Sequence, residues 1–122
     1  MAARLFALLR SFRFAGAGVV YALRAEKNLQ IHAVATVAVV ALGFALRIST
    51  SEWLAVLLAA GLVWATELLN TAIERMGDAI NREPCENIRH AKDAAAGAVL
   101  VAAVVAAIVG AVVFLPKLPF WH

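Results

Sequence analysis

The chain has 122 residues, room for one compact unit but not for two ordinary domains. Hydrophobic residues make up 64% and charged residues 16%, with a mean hydropathy of +0.86, so polar groups cannot cover the apolar surface and an ordinary soluble protein is excluded. The formal net charge is +3, and the single cysteine, Cys85, excludes an internal disulfide and specifies no metal or redox motif.

Residues 1–28 read as a membrane-surface segment. Leu5, Phe6, Leu8, Leu9, Phe12 and Phe14 alternate with Arg4, Arg10 and Arg13. On one continuous helix Arg10, Arg13, Arg24 and Lys27 share a face about 100° wide, suited to anionic headgroups. Gly16 and Gly18 are candidate breaks in it. No unbroken apolar core with a cleavage site precedes Glu26, so no cleavable signal peptide is expected.

The first span is expected over about 29–48, where His32 is the one titratable residue before Arg47. Ser49-Thr50-Ser51-Glu52 is a tight turn, and Ser49 and Glu52 have the spacing of a capping box. The second span is expected over about 53–80, with Trp53 as an interface aromatic. A polar loop from about Asn81 to Arg89 follows, broken by Pro84, and the third span is expected over about 93–115. Trp121 reads as the far interface anchor. Five Lys and Arg residues lie in 1–28 and four in 75–92, against Arg47 alone in the first turn and Lys117 alone in the tail. This bias predicts a cytoplasmic N-terminus and second loop, with the C-terminus outside. Alanine recurs along all spans, which lets helices approach closely.

The chemistry-bearing pattern lies on the second span. Glu67, Asn70, Glu74 and Asp78 are spaced i, i+3, i+7 and i+11, which places them within about 80° of one helix face and over about 16 Å of its length. An ionised carboxylate in the middle of a span costs roughly 2.5–3.5 kcal/mol on insertion scales, so such a stripe requires a reason. Glu67 and Asn70 could simply hold helices together, but that leaves Glu74 and Asp78 unexplained. A deep carboxylate can accept a proton from a lipid hydroxyl. Carboxylates nearer the cytoplasm can bind Mg2+, which takes one or two of them together with substrate phosphates. Lys92-Asp93, at the start of the third span, supplies a cation able to reach phosphates and an acid able to cap the helix or hold a nucleotide group. Read alone, Lys92 would anchor the loop at the membrane surface, Glu26 would be a solvated charge, Arg75 would snorkel, His32 would pack, and Cys85 would be inert. Neither a phosphate-binding G-x-x-x-x-G-K-[ST] loop nor a D-F-G triplet is present.

Glu67-Leu68-Leu69-Asn70-Thr71-Ala72-Ile73-Glu74, followed by Asp78, resembles the E-x-x-N-[ST]-A-I-E-x-x-x-D signature of the prokaryotic diacylglycerol kinase family. Ala91-Lys92-Asp93 and Ala96-Gly97-Ala98-Val99 resemble its second motif. The likeness runs from about Phe12 to Pro116. It implies an all-α membrane protein with three transmembrane helices and an N-terminal amphipathic surface helix, assembled as a homotrimer in the bacterial inner membrane. It implies a lipid alcohol as substrate, ATP as phosphoryl donor and Mg2+ as cofactor. By the same resemblance Glu67 would be the catalytic base, Asn70 would orient the reacting groups, and Glu26 and Glu74 would hold the metal. Lys92, Asp93 and Glu83 would contact the nucleotide. Glu26-Lys27-Asn28-Leu29-Gln30-Ile31-His32 and the tail Phe114-Leu115-Pro116 resemble the undecaprenol kinase branch, where the diacylglycerol branch has an acid at the His32 position. Gln30 departs from an Arg common there, and Glu83-Pro84-Cys85 departs from the family's E-Y-H. Undecaprenol is therefore the expected substrate, with diacylglycerol as the alternative. Two readings of other classes are a proton-coupled transporter that uses Glu67 and a non-catalytic helix bundle.

Overall fold

The computed structural model describes residues 1–80, 83 and 85–121, which form four long helices and two short 3-10 turns, with no strand among them. The helices are α1 (Ala2–Ala25), α2 (Lys27–Ala45), α3 (Thr50–Ile80) and α4 (Glu86–Phe114), and the turns are Leu115–Lys117 and Pro119–Trp121. All four helices are long and apolar enough to cross a membrane, α1 least so, with a mean hydropathy of 1.3 against 3.0 for α4. Large apolar side chains stand fully in the open, Val34, Val37, Leu58 and Val112 among them, and lipid is the solvent that suits them. The described residues form an all-helical molecule whose length and composition are compatible with a membrane protein.

Gly16 and Gly18 do not interrupt α1, because alanine, leucine and arginine on both sides favour the helix enough to carry two glycines. The break falls at Glu26, whose extended backbone (φ −109°, ψ 115°) closes α1 and opens α2. Lys27 therefore belongs to α2, and the basic face of α1 is Arg10, Arg13 and Arg24, spanning about 60°. Gln30 seals the corner: its Nε2 donates to the carbonyls of Leu23 (2.9 Å) and Arg24 (3.4 Å), two acceptors the end of α1 would otherwise leave unmatched.

α2 ends in a Schellman turn. The Ile48 N–H donates to the Gly43 carbonyl and the Arg47 N–H to that of Phe44, with Arg47 itself at φ 52°, left-handed. The capping box follows as expected. Ser49 N–H donates to Glu52 Oε1 (2.9 Å), and Glu52 N–H donates to Ser49 Oγ (3.2 Å). Trp53, expected as a lipid-interface anchor, is only partly exposed and lies against Gly43 and Phe44, the two rings 4.8 Å apart.

α3 and α4 are antiparallel partners. Lys117 at the end of α4 meets Glu52 at the start of α3 (2.8 Å), and Lys92 in α4 meets Asp78 near the end of α3 (2.6 Å). Small buried residues, Ala59, Ala95 and Ala102, let these helices approach, and Ile48, Val56, Val113 and Phe114 fill the core at one end. α4 begins at Glu86, seven residues earlier than the expected start at 93, because nothing from Glu86 to Lys92 breaks a helix and Glu86 suits its positive end. Asp93 therefore sits inside α4 and caps nothing. The expected breaker Pro84, together with Asn81 and Arg82, lies outside the described residues, as does the side chain of Trp121.

Candidate functional site

The α3 stripe is graded in exposure. Glu67 is 3% exposed, Asn70 and Glu74 are half-buried, and Asp78 is exposed. One helix face therefore carries carboxylates from the interior of the bundle to its polar end. A continuous helix over 31 residues produces this grading without a loop. At the inner end, Glu67 Oε1 lies 3.2 Å from His32 Nε2 on α2. His32, expected to pack, does so with a specific partner: it meets the one carboxylate that is buried among the described residues. A second link lies a turn away, where Trp64 Nε1 on α3 donates to Thr36 Oγ1 on α2 (2.9 Å), and Thr36 Oγ1 donates to the His32 carbonyl (2.7 Å). His32 and Thr36 also line an apolar groove of about 180 Å3 that continues between α2, α3 and α4 past Val56 and Val109 to Phe114.

At the outer end, Lys92 Nζ donates to Asp78 Oδ1 (2.6 Å) and stands 3.5 Å from Glu74 Oε2. It draws together the two outer acids of the stripe and offsets their mutual repulsion. Gly77 makes this possible: a Cβ there would lie 2.9 Å from Lys92 Cε and 3.0 Å from Ile88 Cγ2. The missing side chain at Gly77 lets α4 and its lysine lie against α3 without either having to shift.

Glu26, at the α1–α2 corner, receives a hydrogen bond from Arg75 Nη2 (3.1 Å), and the Arg75 guanidinium sits 5.6 Å above the ring of Tyr21. Arg75, expected to snorkel, thus bridges α3 to α1 and to the corner. Asp93 is exposed, and no ion pair or hydrogen bond among the described residues draws it into the cluster. Glu83 is exposed in the α3–α4 connection.

Sequence reasoning missed the His32–Glu67 pair, the Arg75–Glu26 bridge and the role of Gly77. The signal for the first was present: a lone titratable residue in one apolar span and a carboxylate in the next need each other.

Comparison with known proteins decides the class. The model of the prokaryotic diacylglycerol kinase family matches residues 13–114. The chain belongs to that family. It is 46% identical over 109 residues to the undecaprenol kinase of Bacillus subtilis (strain 168), covering 89% of each chain. It is 43% identical over 112 residues to the diacylglycerol kinase of Synechocystis, covering 91% of this chain and 64% of that protein. The lipid kinase is thus an enzyme, which overturns the transporter and the inert-bundle readings. Glu67 taken alone had supported the transporter, but the outer acids and Lys92 had no place in it.

Magnesium fits the donor set by chemistry. Glu26 and Glu74 offer hard carboxylate oxygens, Glu74 with 40% of its side chain accessible. Among the described residues no three His, Cys, Asp or Glu side chains gather as a metal cage.

Proposed function

We propose that this lipid kinase transfers the γ-phosphoryl group of ATP to the hydroxyl of undecaprenol, with Mg2+, at the cytoplasmic face of the bacterial inner membrane. The observation that carries the reading is the graded stripe. A buried carboxylate, Glu67, stands beside an apolar groove at one end, and the exposed Asp78 with the partly accessible Glu74 and Lys92 lies at the other. A lipid hydroxyl and a polar phosphoryl donor approach such a site from opposite sides.

In this reading Glu67 accepts the hydroxyl proton as the lipid oxygen bonds to the γ-phosphorus and the bond from that phosphorus to the leaving ADP oxygen breaks. Asn70 Oδ1 is buried without a partner in this chain, so it is an acceptor free to orient the reacting hydroxyl. Lys92 turns its ammonium from Asp78 and Glu74 toward phosphate oxygens, which its flexible stem permits. Asp93 and Glu83 hold the nucleotide. Glu26 and Glu74 would hold Mg2+, which would neutralise charge on the transferring phosphates.

The topology that suits this division is one domain over 1–122, with α2, α3 and α4 crossing the membrane and α1 on its surface. The N-terminus and the α3–α4 connection are cytoplasmic and the C-terminus outside. Arg10, Arg13 and Arg24 on one face of α1 favour a headgroup position for it, and the abundant exposed apolar surface of the bundle suits a homotrimer in lipid. Undecaprenol is preferred because the likeness to the Bacillus enzyme extends over 89% of both chains. Diacylglycerol, by the same mechanism, is the second reading, favoured by the Synechocystis relative.

The test is transfer from labelled ATP to the two lipids in parallel mixed micelles, with and without Mg2+. Labelled undecaprenyl phosphate in excess is expected, and phosphatidate in excess would overturn the substrate assignment. Glu67→Gln should lower kcat by about 100-fold or more with the fold intact; full activity would remove Glu67 from its role.

A further inference from the structure

We infer that His32 is a positioning residue for the reaction, donating from Nε2 to Oε1 of Glu67 so that the buried carboxylate is held with Oε2 toward the lipid hydroxyl. The inference rests on the assignment of Glu67 as the base.

A base in this place faces a physical difficulty. Glu67 is 3% exposed within an apolar bundle. A buried carboxylate oxygen without a hydrogen-bond donor is costly, and a carboxylate that nothing holds is free to turn away from the substrate. A donor on one of its oxygens removes the difficulty and still leaves the other free to act. His32 Nε2, at 3.2 Å from Oε1, is the donor in reach. Arg75 and Lys92, the cations nearest along the stripe, are committed to Glu26 and to Asp78 and Glu74.

The imidazole is also held in register. The Trp64–Thr36 hydrogen bond and the His32–Glu67 contact form two rungs between the same faces of α2 and α3, with Thr36 and His32 four residues apart on one helix and Trp64 and Glu67 three apart on the other. The upper rung fixes how α2 slides against α3, and with it how far Nε2 stands from Oε1. His32 is the more accessible partner, its side chain 27% exposed against 4% for Glu67, and it faces the groove in which the lipid's apolar chain would lie. It therefore aims the base without blocking it.

Three replacements separate donation from packing. Glutamine can place an amide N–H about where Nε2 stands, asparagine cannot reach it, and alanine has no donor. His32→Gln should keep kcat within about threefold of wild type. His32→Asn and His32→Ala should lose at least about tenfold in kcat, with KM for ATP within twofold, because the nucleotide end of the stripe is untouched. A second readout needs no change at His32: in 15N-labelled protein the imidazole resonances of His32 should show a protonated Nε2 in the wild type and shift on Glu67→Gln. His32→Ala with wild-type kcat, a loss confined to KM for ATP, His32→Gln as impaired as His32→Ala, or resonances indifferent to Glu67→Gln would each overturn the inference. Full activity of Glu67→Gln would instead overturn the assignment of the base on which it rests.

Discussion

Gly77→Ala tests whether the approach of α4 to α3 sets nucleotide affinity. The added Cβ would meet Lys92 Cε at 2.9 Å and Ile88 Cγ2 at 3.0 Å, where ordinary contact begins at 3.4 Å, so each neighbour must retreat by about 0.4–0.5 Å. The lysine can yield by rotating its stem; the Ile88 branch requires a small movement of α4. Overpacking of this kind costs about 1–3 kcal/mol, and the low end applies because one neighbour is a flexible tip. Alanine recovers up to about 1 kcal/mol of helix propensity in the interior of α3. The net loss of stability should be at most about 2 kcal/mol, read by thermal unfolding in detergent micelles. The functional effect should be larger in proportion. Lys92 reaches Asp78 at 2.6 Å only by lying across Gly77, so its ammonium is displaced in the variant. KM for ATP should rise several-fold while KM for the lipid is unchanged, and Gly77→Val should exceed Gly77→Ala in both stability loss and KM. A Gly77→Ala enzyme with native KM for ATP would refute the link between this glycine and the placement of Lys92.

At the opposite end of the bundle, Gly43→Ala should destabilise without altering KM for ATP. Its Cβ would lie 2.6 Å from Cη2 of Trp53, a rigid ring, so about 1–3 kcal/mol of overpacking faces about 1 kcal/mol of helix gain. Adding Trp53→Phe, which removes the offending ring edge, should make the pair non-additive by at least about 1 kcal/mol; strict additivity would show that the two residues do not touch. Arg47→Gly should stabilise by about 0.5–1 kcal/mol. The left-handed backbone at φ 52° costs an L-residue about 1–2 kcal/mol, of which glycine's extra freedom in the unfolded chain takes back part. A lower melting point for that variant would mean that the Arg47 side chain contributes more than its backbone costs.

The helices and the stripe were legible because both are local. Long apolar runs and the spacing of Glu67, Asn70, Glu74 and Asp78 depend on nothing but helical geometry, and the Ser49–Glu52 box closes within four residues. What depends on two elements at once was not legible. His32 meets Glu67 across 35 positions of chain and Arg75 meets Glu26 across 49, and no periodicity fixes the register between separate helices. Lys92 was expected at the start of the third span, in reach of phosphates; because α4 starts at Glu86, it lies within the helix and balances two carboxylates. The corner at Glu26 was hidden because its neighbours look equally helical, while the glycines at 16 and 18 drew attention to a break that α1 does not have.

That corner governs more than connectivity. α1 is a rod of 24 residues, about 36 Å long, with few side chains buried against the rest of the protein. It is pinned at one end, by Gln30 to its last carbonyls and by Arg75 to Glu26 and Tyr21. Such a rod is a lever: a rotation of about 10° at the pins carries its far end through about 6 Å. A change of angle at Gln30 or Arg75 would therefore be magnified into a larger displacement of Arg4, Phe6 and Phe12, and these two side chains, with the buried Ala22, hold the arm beside the kinase's polar cluster.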